Sequence, residues 1–359
     1  MATADSASPE PGPAQDGRAQ DEPQGTDAPQ QQPAEQARRS RVPPPYRAAF
    51  VVIALSLVMG AAFAASYIVA LGRPLPRDIP IGVVATPAAS SPVVDALQAA
   101  AGGGLDRHTY PSLRAAEAAV DQQQVYAVVD ERRQPPVVYV SSASGASVAR
   151  AVEQLVQALP PSLAVRVVDL HPLPRSDPLG LSAFYVTIAA TILGIVTVFQ
   201  LRANAGGIGL RPWLALIAAL AISTGAVLAA VSDPLLGALK GPFGEIWLIL
   251  TLQTATTTLF TSSMVVLVHR WAMLPTWALF VVLGNTSSGG AVAPALLPTF
   301  FAVLSQVLPT GATVTALHSA VYFTSHQHAQ PFLVLAGWVV ATAAMLLVAA
   351  HVRGRSPAQ

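Results

Sequence analysis

The sequence predicts an α-helical integral membrane bundle of six transmembrane helices, with an extracytoplasmic α/β domain inserted between helices 1 and 2. Three observations predict it. Hydrophobic residues make up 52% of the 359-residue chain and charged ones only 11%, with a mean hydropathy of +0.50, which no ordinary soluble domain combines. Apolar runs long enough to cross about 30 Å of hydrocarbon recur along the chain, free of charge in their central parts. Between the first and second of them, from Arg73 to Leu179, charged residues and turn signals return and apolar residues adopt short periodic patterns.

Residues 1–46 are rich in Pro, Gln, Ala, Ser and Asp and hold almost no large apolar side chain before Val42, so they read as a disordered cytoplasmic tail. Residues 47–72 form the first membrane helix, with Ala48 to Leu71 its uncharged run. Ala62, Phe63 and Ala64 resemble a small-residue cleavage site, but the length of the run and the tail before it favour an uncleaved anchor. Residues 73–179 make the α/β domain. Strands are expected at Ile79 to Val83, Val125 to Val129, Val137 to Val140 and Val165 to Leu170, and helices at Val93 to Ala100, Leu113 to Gln124 and Val148 to Leu159. A membrane domain of five helices occupies 180–353: Ser182 to Leu201, Trp213 to Val231, Ile246 to Val268, a broken segment from Met273 to Phe323, and Pro331 to Ala350. A short cytoplasmic tail, 354–359, closes the chain.

Basic residues set the orientation. Arg38, Arg39, Arg41 and Arg47, then Arg202 and Arg211, Arg270, and Arg353 and Arg355 flank one set of helix ends, whereas Lys240 alone marks the short loops at the other. The positive-inside rule then puts both termini in the cytoplasm and the α/β domain outside.

The stretch Gly284-Asn285-Thr286-Ser287-Ser288-Gly289-Gly290 interrupts an apolar segment with a flexible, hydroxyl-rich break. Irregular backbone at membrane depth is tolerated only inside protein or beside water, so this is where a transport path or gate is expected. Beyond it, Leu297, Phe300, Phe301, Leu304, Val307 and Leu308 recur at helical spacing between Pro294 and Pro309, describing a short amphipathic helix in a re-entrant outer hairpin at about 284–325. The candidate outer gate or substrate path therefore comprises Gly284, Asn285, Ser287, Ser288, Gly289, Gly290, Phe300, Phe301 and Pro309, with Phe300 and Phe301 expected to face apolar surface. Thr251, Thr254, Thr258 and Thr261 share one helix face, with Gln253 and Thr257 beside them. Such a stripe either lines a polar path or lets helices pack closely; packing is the favoured reading. Glu245 stands at the outer start of its helix, where an acid meets the positive end of the dipole.

The layout, one helix, an outer α/β domain, then five helices with a hairpin before the last, resembles the membrane subunits of ABC-2-type exporters. The resemblance sharpens at Gly284 to Gly290, Leu297-Pro298-Thr299-Phe300-Phe301, Leu308-Pro309-Thr310-Gly311-Ala312 and Val321-Tyr322-Phe323, which are similar to the phage-infection-protein-like (YhgE/Pip-like) branch and its actinobacterial members. Leu113 to Val129 is similar as well, whereas His318 stands where such members lead one to expect Arg. The resemblance implies a permease subunit in a bacterial plasma membrane that moves a hydrophobic or envelope-related molecule outward. It implies partners too: the lipid bilayer, a cytoplasmic ATP-binding subunit, and a second copy or a similar membrane chain. The alternative is a non-transporting envelope scaffold or receptor whose outer domain binds a partner.

The residues themselves supply no engine. No phosphate-cradling G-x-x-x-x-G-K-[ST] occurs, and the apolar segments lack the ionisable groups of a self-powered antiporter. Ser287 and Ser288 do not fit G-x-S-x-G, and no acid close to His318 in sequence would orient it, so no catalytic residue is expected. No cofactor or metal is expected either: His318, His326 and His328 read as part of a solvated loop region rather than a ligand set, and the absence of cysteine removes thiolate sites. A net charge of +1 without a basic-aromatic pattern gives no footprint for nucleic acid.

Overall fold

The computed structural model describes residues 45–72, 74–84 and 91–355. The expected disordered tail lies outside the described residues up to position 44, together with Arg38, Arg39 and Arg41, and so do residues 356–359. Helix α1 (Pro45–Leu71) divides between Ile53 and Ala54 into two contact units, and all packing described below belongs to the unit that begins at Ala54.

The protein is mostly helical, with one small sheet. Among the described residues, four helices are long and apolar enough to cross a membrane: α1, α5 (Ser182–Asn204), α6 (Leu210–Ala230, continued by a π-helical turn to Leu235) and α11 (Gln330–Arg355). Helices α9 (Thr299–Val307) and α10 (Pro309–Tyr322) pass the same test only as a pair bent by 74°. The bend has a local cause. Leu308 precedes a proline, which disfavours the helical region, and it is extended at φ −83°, ψ 147°.

Helix α7 (Phe243–Val268) is as long as its neighbours, but its threonines, serines and Gln253 keep it out of that apolar group. It lies at the centre, packed on α5, α6, α10 and α11. Ile246, Ile249 and Leu250 are fully buried there with Leu317 and Leu335. Close approach to α6 depends on Gly225: a methyl group added there would stand 2.2 Å from Thr251 Oγ1 and 2.8 Å from the Trp247 carbonyl oxygen.

The α/β domain runs β1 (Ile79–Val84), α2 (Pro92–Ala100), β2 (Leu105–Tyr110), α3 (Leu113–Asp121), β3 (Ala127–Asp130), β4 (Val137–Val140), α4 (Ala146–Gln157) and β5 (Arg166–Asp169). Its strands are ordered β2-β1-β3-β4-β5. The β3–β4 pair, joined by a short turn, is antiparallel, while the pairs that need a crossover helix are parallel. Helices α2 and α4 cover one face over Ile79, Ile81, Val129, Val138 and Val140; α3 covers the other over Val84, Val128, Val137 and Tyr139. Each expected strand and helix is present within a few residues of its expected bounds, but β2 is an addition. Asp106 to Thr109 are all exposed on this edge strand, so it carries no alternating apolar signal.

The two ends of the bundle differ. Arg202, Leu210, Val265 and Ala350, from the ends of four helices, surround one small cavity of about 170 Å³. Arg353 contacts His269 at the same end, and Arg270 lies over the Trp271 ring at 5.2 Å. The α/β domain sits at the opposite end, where Ser176 bonds the Gly237 carbonyl and Gln123 meets Ser319.

Candidate functional site

The break is built by a change of helix type. Helix α8 (Met273–Trp277) widens into π-helical turns over Ala278–Gly284, regular helix ends at Thr286, and after a turn at Ser287 residues 288–292 are bent. A widened, ending helix weakens the regular ladder of amide bonds. Leu283 O still accepts the Ser287 amide at 3.1 Å and Asn285 O the Ser288 amide at 3.3 Å, and the hydroxyl run adds to these bonds. Thr286 Oγ1 donates to the carbonyls of Val282 and Leu283, Ser287 Oγ to Leu283, and Ser288 Oγ to Asn285. Gly284 lies against Thr310, where a Cβ would come within 2.8 Å of Oγ1. Asn285 is buried beside Tyr67 of α1; its Oδ1 and the Thr310 Oγ1 have no partner among the described residues.

Two glycines turn the chain. Gly289 has φ +77°, a conformation side chains resist, and Gly290 lies so close to α5 that a Cβ would meet Phe184 Cβ at 2.6 Å. The segment then enters the α/β domain. Ala293 and Leu296 belong to the apolar core under α4, and Ser147 Oγ accepts the Ala293 amide at 2.9 Å. From the linker after α1, Arg77 donates its backbone amide to Ala295 O at 3.1 Å and Nη1 to Leu296 O at 3.0 Å. Helix α9 follows, beginning after Pro298 rather than at Pro294. Phe301 is buried against Ala70 and Leu297, while Phe300 points outward, 61% exposed. Pro309 is the first residue of α10 and is buried.

Between the domain and the break lies a cleft of about 240 Å³. The domain contributes Tyr126, the first turn of α4 from Gly145 to Ser147, and Arg150. The break contributes Ser288, Gly289 and Gly290, and α10 contributes Val314, Thr315 and His318; His328 closes one side. Of the gate residues expected from sequence, the cleft thus gathers Ser288, Gly289 and Gly290. Gly284, Asn285, Ser287, Phe300, Phe301 and Pro309 are not part of its wall. The electrostatics are one-sided, for no Asp or Glu lines it. Arg150 is exposed and lines it, without an ion pair among the described residues. Burial pushes the Tyr126 hydroxyl up from its usual range, so it stays protonated. His318 lies between the Ala143 carbonyl and Asp177, whose oxygens accept the Leu181 and Ser182 amides at 3.0 Å and so cap α5.

The threonine stripe is turned into helix contacts. Thr254, Thr258 and Thr261 are fully buried and bond back to the carbonyls of Leu250, Thr254 and Thr257, and Thr251 faces Gly225. Gln253 beside them ties three helices: its Nε2 donates to Thr191 Oγ1 of α5 at 2.8 Å, and its Oε1 accepts from Thr313 Oγ1 of α10 at 2.9 Å. Glu245 stands in the first turn of α7 and accepts from Gln327 at 3.1 Å.

One constellation escapes sequence reading because its members come from separate elements. Asp121 Oδ1 lies 3.1 Å from His171 Nε2, and His171 Nδ1 lies 3.2 Å from Ser141 Oγ. The residue types are those of a hydrolytic triad, but the surroundings are not. Ser141 is 1% exposed, its Oγ accepts the Ser144 amide at 3.3 Å and pairs with Ser144 Oγ at 2.7 Å, so a substrate carbonyl has no approach. The His171 ring instead packs edge-on against Phe323, 5.5 Å between centroids, joining the domain to the end of α10. No family model matches the chain, and neither does any curated protein or solved structure.

Proposed function

We propose that this chain is the permease subunit of an ABC-2-type exporter of the phage-infection-protein-like branch, carrying a hydrophobic or envelope-related molecule outward with ATP hydrolysed by a separate cytoplasmic partner. In this reading α1, α5, α6, α7, the α8-to-α10 segment and α11 make six crossings. The arginine-bearing end of the bundle lies in the cytoplasm with both termini, and the α/β domain lies outside.

The observation that carries the proposal is the position of the break. A segment at the end of the bundle that meets the α/β domain gives up regular helix, backs its remaining amide bonds with its own hydroxyls, and forms one wall of a cleft beside that domain. A bundle that only anchored the domain would need no such interruption, because unbroken helix satisfies its own backbone. The scarcity of ionisable groups in α5, α6, α7, α10 and α11 supports an energy source outside this chain.

Two measurements test it. The first is orientation: a single cysteine at Gln154, exposed on α4, reacts with an impermeant thiol reagent in intact cells, and reaction from the cytoplasmic side alone rejects the topology. The second is purification from the native membrane in mild detergent, where a stoichiometric ATP-hydrolysing subunit is expected. A stable complex with envelope proteins that hydrolyses no ATP overturns the exporter reading in favour of a scaffold.

A further inference from the structure

We propose that the cleft between α4 and the broken segment binds a phosphate-bearing anionic group, with Arg150 as its principal counter-charge. The inference deepens the reading of the cleft as a substrate route by naming the class of molecule that enters it.

The cleft is lined by Arg150, His318 and His328 and by no carboxylate. Arg107 lies 2.8 Å from Asp95 and Arg132 lies 3.0 Å from the buried Asp130, whereas Arg114, Arg166 and Arg175 form no ion pair among the described residues and do not line the cleft. Arg150 has no such partner among the described residues, and it is the arginine that lines the cleft. An unpaired guanidinium over a cavity presents a fork of donors matched to phosphate oxygens. The nearest acids face other groups than Arg150, Asp177 being a charge beside His318. Asp177 caps α5 through both oxygens, and Asp121 faces His171. Thr315 adds a hydroxyl from α10, and the amide end of α4 enters the same space with no side-chain cap from Gly145.

The walls also limit the shape of the ligand. Val314 and Pro294 give the cleft an apolar flank beside the bundle, and Leu179 lies on its rim, so an anion with an apolar body fits better than a small inorganic ion. At the outer end of a membrane bundle, the ligand chemistry expected is an anionic phospholipid headgroup or a molecule shaped like one.

The cysteine-free sequence makes occupancy measurable. A single cysteine replaces the exposed Thr315 in the cleft wall, and a control cysteine replaces Gln154, outside the wall. The full chain is placed in nanodiscs of phosphatidylcholine alone or with phosphatidylglycerol, and its reaction with a charge-neutral thiol reagent is timed. Phosphatidylglycerol at a few times its dissociation constant slows labelling at position 315 roughly threefold or more, without slowing it at 154. Arg150→Gln abolishes the protection and Arg150→Lys retains part of it; size-exclusion profiles confirm that both variants stay folded. Inorganic phosphate added to phosphatidylcholine discs identifies the source. Protection there equal to that by phosphatidylglycerol assigns the site to a soluble phosphate, and protection by the lipid alone assigns it to a headgroup. Equal labelling rates under all conditions, or protection that survives Arg150→Gln, overturns the proposal. The assay contains no transport step, so its failure leaves export of an uncharged molecule standing, and failure of export leaves anion binding standing.

Discussion

Replacing Gly290 by Ala tests whether the break is held in place by contact with α5. The added Cβ would sit 2.6 Å from Phe184 Cβ and 3.0 to 3.1 Å from two of its ring carbons. Carbon atoms pack best at about 3.5–4.0 Å, so one side must retreat by roughly an ångström. Rotating the ring does not relieve the closest contact, because Phe184 Cβ is fixed to the α5 backbone. That backbone is anchored by Asp177, which bonds the amides of Leu181 and Ser182 at 3.0 Å. Overpacking of this kind costs about 1–3 kcal/mol. Gly60, in α1, is the control: a Cβ there meets nothing within 4 Å, so Gly60→Ala gains helix propensity of about 1 kcal/mol or leaves stability unchanged. Unfolding titrated with dodecyl sulfate in mixed micelles reads both. If Gly290→Ala comes within about 0.5 kcal/mol of the parent, the size of an ordinary surface substitution, then Phe184 does not fix the break and the reasoning fails.

Further substitutions probe other joints. Gly289→Ala, at φ +77° and with a Cβ 3.2 Å from Pro294, costs about 1–2 kcal/mol in the same titration. If the chain exports as proposed, the double variant Gly289→Leu with Gly290→Leu abolishes that transport, and unchanged activity in a correctly inserted double variant removes the support for a gate. Gln253→Leu costs only about 1 kcal/mol, because Thr191 and Thr313 keep their bonds to the Thr187 and Pro309 carbonyls; a loss beyond about 3 kcal/mol would mean the amide holds the bundle alone. Gly225→Ala destabilises by about 1–3 kcal/mol, and Thr251→Ala restores only part of it, since the Trp247 carbonyl remains 2.8 Å from the new methyl; full rescue would show that the hydroxyl was the whole obstacle. A fluorophosphonate probe leaves the native protein unlabelled, and modification of Ser141 would show that its burial is relieved in solution.

The apolar helices were legible because each presents a long charge-free run to the reader, and so were β1, β3 and β4, whose residues are buried or nearly so. Strand β2 was not, since its exposed Asp-Arg-His-Thr run fits a loop as well as an edge strand, and only pairing with β1 distinguishes them. Gly284 to Gly290 announced a break, but not the π-helical turns before it, which depend on how α8 packs rather than on any residue pattern. The cleft was the least legible part. Arg150 on α4, Ser288 in the break and His318 on α10 become neighbours only when the domain docks, and Arg150 in isolation reads as a solvated position on an amphipathic helix. The threonine stripe gave residue positions but could not choose between a path and a packing face; Gly225 on another helix supplies the partner that the stripe lacks by itself.

The central place of α7 bears on how the chain is made. In the proposed six-crossing topology it carries Gln253 and a run of threonines and serines that lipid alone does not welcome, and it is sheltered by α5, α6, α10 and α11. Two of those shelters are synthesised before it and two after. While the ribosome is still working on the hairpin, the side of α7 that later meets Thr313 is bare, so the insertion machinery must retain the unfinished chain until α10 and α11 emerge. A nascent chain truncated after Val268 should therefore linger at the translocation site or be degraded, whereas one truncated after α6, with no such helix to hide, should be released into the bilayer.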